Sequence, residues 1–143
     1  MNKVKVTIQA QINASPSKVW DFWTNPTHIV NWNFASDDWC CPKAENDLRV
    51  GGKYSARMEA KDKSFGFDFE CTYTEVVNLK TINYTMGDGR TAHTTFEPSN
   101  NGTKVTTIFD AEGTNPVEMQ KNGWQAILNN FKKWQIKNIF FGN

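Results

Sequence analysis

Charge of one sign is missing from this 143-residue chain: 16 Lys and Arg stand against 15 Asp and Glu, a formal net charge of +1. That balance offers no long-range field to recruit nucleic acid or an acidic membrane surface. Long apolar runs are missing too. None approaches the roughly 18 residues of a membrane span, and the opening Met1-Asn2-Lys3-Val4-Lys5 has no apolar signal core. Cysteine is scarce. Cys40, Cys41 and Cys71 make an odd count with two adjacent, which describes no disulfide framework. Neither they nor His28 and His93 fall at the spacing of zinc ligands. The expectation is three reduced thiols in a cytoplasmic protein. A phosphate-cradling loop is absent as well, because Gly51-Gly52 runs into a strand rather than a helix. No Ser stands in a nucleophile-elbow context. No metal, nucleotide or other cofactor is expected from these residues.

What the chain does have is aromatic bulk, 13% of residues, with ten Phe and six Trp. Apolar residues make up 38% and charged residues 22%, the balance of a soluble globular protein. The length suits one domain, residues 1–143, with a core of its own. The rings have two compatible uses: filling that core, or lining a ligand cavity, which is typically apolar and aromatic.

Local patterns supply the elements. Val4, Val6, Ile8, Ala10 and Ile12 alternate with polar neighbours, a strand with one buried face. Ser15-Pro16 starts a short helix carrying Val19, Trp20, Phe22 and Trp23, and Asn25-Pro26 starts a second one holding Ile29 and Trp32. Asn33 to Asn46 reads as a loop with aromatic anchors Phe34 and Trp39 and a kink at Pro42. Antiparallel strands follow through Tyr54–Ala60, Phe65–Tyr73, Ile82–Met86, Arg90–Glu97 and Lys104–Asp110. Pro98-Ser99-Asn100-Asn101-Gly102 is a strong hairpin signal. After Asn115-Pro116, Trp124, Ile127, Leu128 and Phe131 lie on one face of a long helix expected to reach Ile139 or Phe140. The fold class is therefore α+β: a curved antiparallel sheet wrapped around a long C-terminal helix, a helix grip, with two short helices after the first strand. Gly51-Gly52 is expected to be a bulge or sharp entry into that curved sheet.

The order of these motifs is familiar. Ala14-Ser15-Pro16-Ser17-Lys18-Val19-Trp20, Trp32, Cys41-Pro42, Asp47-Leu48-Arg49-Val50-Gly51-Gly52, Thr72-Tyr73-Thr74-Glu75-Val76, Gly102-Thr103-Lys104-Val105-Thr106 and Gly123-Trp124-Gln125-Ala126-Ile127-Leu128 with Phe131 run nearly the whole chain. Together they resemble the START-like (SRPBCC, pollen-allergen-like) superfamily. Within it they resemble bacterial proteins named for similarity to the C-terminal domain of the activator of heat-shock protein 90 ATPase. The resemblance implies a helix-grip fold of a kind that hosts lipid and sterol carriers, hormone receptors, aromatic cyclases and chaperone partners. Fold does not choose among these; a site must. Cys71 departs from the pattern, which often has Gly there, and its bulk implies a narrower or shifted pocket.

The residues expected to approach the space between sheet and helix are Phe67, Phe69, Tyr73, Tyr84, Phe109, Met119, Trp124, Ile127 and Leu128, with Trp32 and Trp39 closing its mouth. They point to non-catalytic binding of a small apolar or aromatic molecule. A chaperone-interaction role follows from the resemblance alone. A cyclase- or hydratase-type enzyme would need an acid or base facing the cavity, with Glu75 and His93 the candidates. Glu75 has two readings. Simple alternation from an inward Tyr73 carries it inward, where Arg49 or Arg57 would pair it or protonation would neutralise it; if the strand has ended, it is solvated. Asp68 and Glu70, opposite the Phe row, are expected to face solvent.

Overall fold

A computed structural model describes residues 4–138. Seven antiparallel strands form one sheet in the order β1-β7-β6-β5-β4-β3-β2. They are β1 (Lys5–Ile12), β2 (Trp39–Asn46), β3 (Lys53–Ala60), β4 (Gly66–Val77), β5 (Thr81–Met86), β6 (Thr91–Ser99) and β7 (Gly102–Asp110). Helices α1 (Pro16–Thr24) and α2 (Pro26–Ile29) fall between β1 and β2, and α3 (Val117–Lys137) follows β7. The curled sheet grips α3, as the alternating and helical patterns predict. The expected helix end at Ile139 or Phe140 lies outside the described residues.

One element differs from expectation. The predicted loop from Asn33 to Asn46 contains the edge strand β2, paired with β3. Pro42 cannot donate to a ladder, so a sheet tolerates it at an edge or a bulge. Here it has both: the register shifts between Cys40 and Lys43. Trp32, expected on α2, lies just past it, and its indole N–H donates to the carbonyl of Phe22 at 3.0 Å.

The caps behave as composition suggests. The Ser15 hydroxyl accepts from the amide of Lys18 and the Asn25 side chain from that of Thr27, each with Pro in the first helical turn. Asn100 and Asn101 both take positive φ, as the two-residue turn joining β6 to β7 requires. Gly51, at φ +85°, donates to the carbonyl of Tyr73, while the carbonyl of Gly52 accepts from the Tyr73 amide. A Cβ on Gly52 would sit 2.0 Å from the carbonyl oxygen of Asp47. The pair therefore folds the 47–52 turn against β4 and leads into β3, an architectural role.

The core lies between the sheet and the helices. Val6, Ile8, Ile12, Val105 and Phe109 come from β1 and β7, Val19, Trp20 and Phe22 from α1, and Leu128 and Phe131 from α3. Trp23, Trp32 and Phe131 pack ring on ring, with centroids 4.9–5.1 Å apart. Trp134 donates its indole N–H to Nδ1 of His28, whose ring stacks on Phe22, tying α2 to α3. Backbone contacts of α3 with the sheet concentrate on β1, and those of α1 on β6 and β7. The grip is tight on that side and looser over β3, β4 and β5.

Candidate functional site

Where the grip loosens there is a cavity of about 280 Å³. Its helical wall is Trp124, Ile127 and Leu128 of α3, joined by Trp23 of α1 and by Trp32 and Asn33 after α2. Its sheet wall is built by pleat alternation, since side chains two apart share a face: Tyr54 and Met58 from β3, Phe67, Phe69 and Tyr73 from β4, Ile82 and Tyr84 from β5, Thr94 from β6, Thr107 from β7 and Ile8 from β1. Arg90, at the entry to β6, completes the lining.

Of the residues singled out in the sequence, Trp32, Phe67, Phe69, Tyr73, Tyr84, Trp124, Ile127 and Leu128 line this space. Three do not. Phe109 is fully buried and stacks face to face on Trp124 at 3.9 Å, so it supports the wall from behind. Met119 is 57% exposed, in a first turn of α3 whose Val117 and Glu118 are exposed as well. Trp39 stands beside Phe65 and Phe67, with centroids 6.1 and 6.2 Å away, outside the lining. Phe67 both lines the cavity and is 45% exposed, which marks the mouth. Cys71 is buried on the same face but does not line the space.

The sequence reading passed over Ile8, Trp23, Tyr54, Met58, Ile82, Thr94 and Thr107 as lining residues. Strand alternation was the available signal for all but Trp23. Asn33 lies outside regular elements, where no periodicity points anywhere, and Arg90 stood first in an expected strand that begins at Thr91.

Polar tips inside the cavity are largely matched. Asn33 donates to the Tyr54 hydroxyl at 2.9 Å, the Tyr73 hydroxyl donates to Asn46 at 2.6 Å, and the hydroxyls of Thr94 and Thr107 are 2.8 Å apart. Burial raises the Tyr54, Tyr73 and Tyr84 hydroxyls above their ordinary range, so all three stay neutral at pH 7. Burial also pushes the Cys71 thiol up to about 12 and the Cys41 thiol up to about 11. Both are poor nucleophiles, since the thiolate is the reactive form. The described cysteines are all free thiols.

Neither candidate acid or base reaches the cavity. A second register shift, between Tyr73 and Glu75, breaks the alternation that would have carried Glu75 inward. Val76 takes the half-buried side, and Glu75 is exposed, accepting from the Asn83 side chain at 2.9 Å. Arg49 pairs with Asp47, and Arg57 with Glu59 and Asp68, so neither partners Glu75. His93 lies between Ala92 and Thr94, both buried, and contacts Asn83 on the outer face of the sheet. Asp68 and Glu70 are exposed, as expected. Among the described residues, no three His, Cys, Asp or Glu side chains group as a metal site, and no helix is long and apolar enough to cross a membrane.

The family described as Activator of Hsp90 ATPase homolog 1-like protein matches residues 13–134. The solution structure of the AHSA1-like protein from Aeromonas hydrophila is 40% identical, with a TM-score of 0.89 over 94% of this chain and 93% of that one. A protein from Cytophaga hutchinsonii is 42% identical, with a TM-score of 0.81 over 97% and 96% of the two chains. A Nitrosomonas europaea protein shares the fold at 16% identity, with a TM-score of 0.82 over 96% and 97%. No curated protein matches the chain. The match over most of its length, on a curled sheet closed around a C-terminal helix, places this chain in the Activator of Hsp90 ATPase homolog 1-like family of START-like proteins.

Proposed function

We propose that the protein binds a small apolar or aromatic molecule, without catalysis, in the cavity between α3 and β3–β5. The observation that carries this reading is the 280 Å³ space itself, walled mostly by aromatic and aliphatic side chains. A dry engineered cavity of about 150 Å³ accepts benzene, so this one suits a single ring with a short chain, or two fused rings. Ligand pockets begin near this size. Trp and Tyr rings offer broad contact, and the neutral tyrosine hydroxyls can orient an occupant through hydrogen bonds. The chaperone-partner role draws its support from the family's description alone.

Native mass spectrometry of the protein purified from its own host tests the reading, beside the space-filling variant Ile127→Trp. A small organic adduct on the wild type that is absent from Ile127→Trp is expected. A bare wild-type mass, together with no chemical-shift change at Trp124 or Ile127 on adding 3-phenylpropanol, would sink it.

A further inference from the structure

We infer that the occupant is a small aromatic or alkyl carboxylic acid whose carboxylate is held by Arg90 and the Tyr84 hydroxyl, a refinement that rests on the binding reading above. Among the described residues, Arg90 is the single charged one lining the cavity. A guanidinium beside an apolar space costs desolvation; its ion pair with Asp88 offsets that cost and leaves part of the guanidinium without a partner among the described residues.

Strand register places the pair together. Tyr84 stands opposite Ala92, and the amide of Met86 donates to the carbonyl of Arg90 at 2.7 Å. Arg90 is therefore opposite Met86, one diagonal step from Tyr84 on the same face, within reach of long side chains. Arg90 is close enough to pull the Tyr84 hydroxyl back toward ionisation, against the larger raising effect of burial. Burial keeps the hydroxyl protonated, and the nearby cation makes it a better donor.

Asn33, Tyr73, Thr94, Thr107 and the Trp32 indole have partners, while the O–H of Tyr54, the indole N–H groups of Trp23 and Trp124, the Tyr84 hydroxyl and part of the Arg90 guanidinium stay open among the described residues; of these only Arg90 is charged, and Tyr84 shares its face. Nε of Arg90 donates to Asp88 at 2.7 Å and Nη1 to the carbonyl of Asp110 at 3.4 Å. Among the described residues Nη2 has no partner, and neither does the Tyr84 hydroxyl. Guanidinium groups only donate, so the complement is an acceptor, and an anion makes the stronger bond. A carboxylate presents two oxygens to two donors. Asp88, which is 53% exposed, offsets part of the Arg90 charge from the solvent side. What remains suits a single negative charge better than the double charge of a phosphate ester.

The test compares 3-phenylpropionate with its neutral isostere 3-phenylpropanamide by tryptophan fluorescence, with Trp23, Trp32 and Trp124 in the wall as reporters. In the wild type the acid should bind at least ~10-fold more tightly, the size expected when a charge-assisted bond is added. Arg90→Met should erase that preference and leave amide affinity within about 3-fold, since the apolar wall is untouched. Tyr84→Phe should weaken the acid more than the amide. Equal wild-type affinities, or a preference that survives Arg90→Met, would overturn the inference and leave the apolar-cavity reading standing. If neither probe binds the wild type, this inference falls, and the native-mass and 3-phenylpropanol test decides the cavity reading by itself. The wild-type comparison decides alone should Arg90→Met fail to fold.

Discussion

The two ends of the grip use the same kinds of residue for opposite purposes. Over β6, β7 and β1, the rings of Trp20, Phe22, Phe96 and Phe131 interlock and exclude space, each 8% exposed or less. Over β3, β4 and β5, Phe69, Tyr73, Tyr84 and Trp124 face one another across about 280 Å³. Ring count does not separate the ends; spacing does. On the packed side α1 lies against β6 and β7, and its Trp20 and Trp23 bring rings onto Phe96, with Trp23 also meeting Phe131 of α3. Over β3, β4 and β5 neither α1 nor α3 packs its backbone so closely, and the side chains of Trp23, Trp32 and Trp124 border open space instead. An aromatic residue closes a core only when a third layer of side chains meets it.

The sharpest way to test this contrast is a pair of truncations on α3. Phe131→Ala, at the fully buried end, should cost ~3–5 kcal/mol in urea unfolding. Ile127→Ala, half-buried beside empty space, should cost only about 1 kcal/mol, because its side chain already lacks neighbours on one side. Equal losses would mean that the hollow end is as well packed as the other.

The next effect is alkaline. Cys71 and the three cavity tyrosines have raised folded-state pKa values, so their contribution is intact below the unfolded values. It is lost as pH rises through the folded ones. For Cys71 that window runs from 9.0 to about 12. Stability should fall above pH 9 through Cys71 and more steeply above pH 10, where the tyrosines join, by roughly 1 kcal/mol per pH unit for each such group. Cys71→Ala should flatten that slope, and an unchanged slope would contradict the burial assigned to the thiol.

Smallest of all, Glu75→Gln on the outer face should change stability by less than ~0.5 kcal/mol and leave probe binding unaltered. A large loss of binding would return Glu75 to the cavity and break the distinction between the faces.

Much of this molecule was legible in its residues. Period-two alternation and the Trp124–Phe131 stripe are local consequences of how a side chain meets a buried face. The caps at Ser15 and Asn25 and the turn at Asn100-Asn101 are backbone chemistry that neighbouring residues settle between themselves. The strand β2 was obscured because Pro42 reads as a breaker, and only pairing with β3 reveals that it lies at an edge and a bulge. Glu75 was undecidable for a related reason. One inserted residue reverses which side every later side chain takes, and nothing in Thr72-Tyr73-Thr74-Glu75-Val76 announces the insertion.

What the residues determined alone was therefore every element but β2, their amphipathic faces and the family they share, because those depend on short-range geometry and pattern. What tertiary structure alone decided was where the rings stop touching. The roles of Phe109 behind Trp124, of Met119 in solvent, and of Arg90 beside Tyr84 at the rim of an apolar space are set by strand register and by the thickness of the layer between sheet and helix. Those are distances between segments far apart in the chain, and no local sequence pattern encodes them.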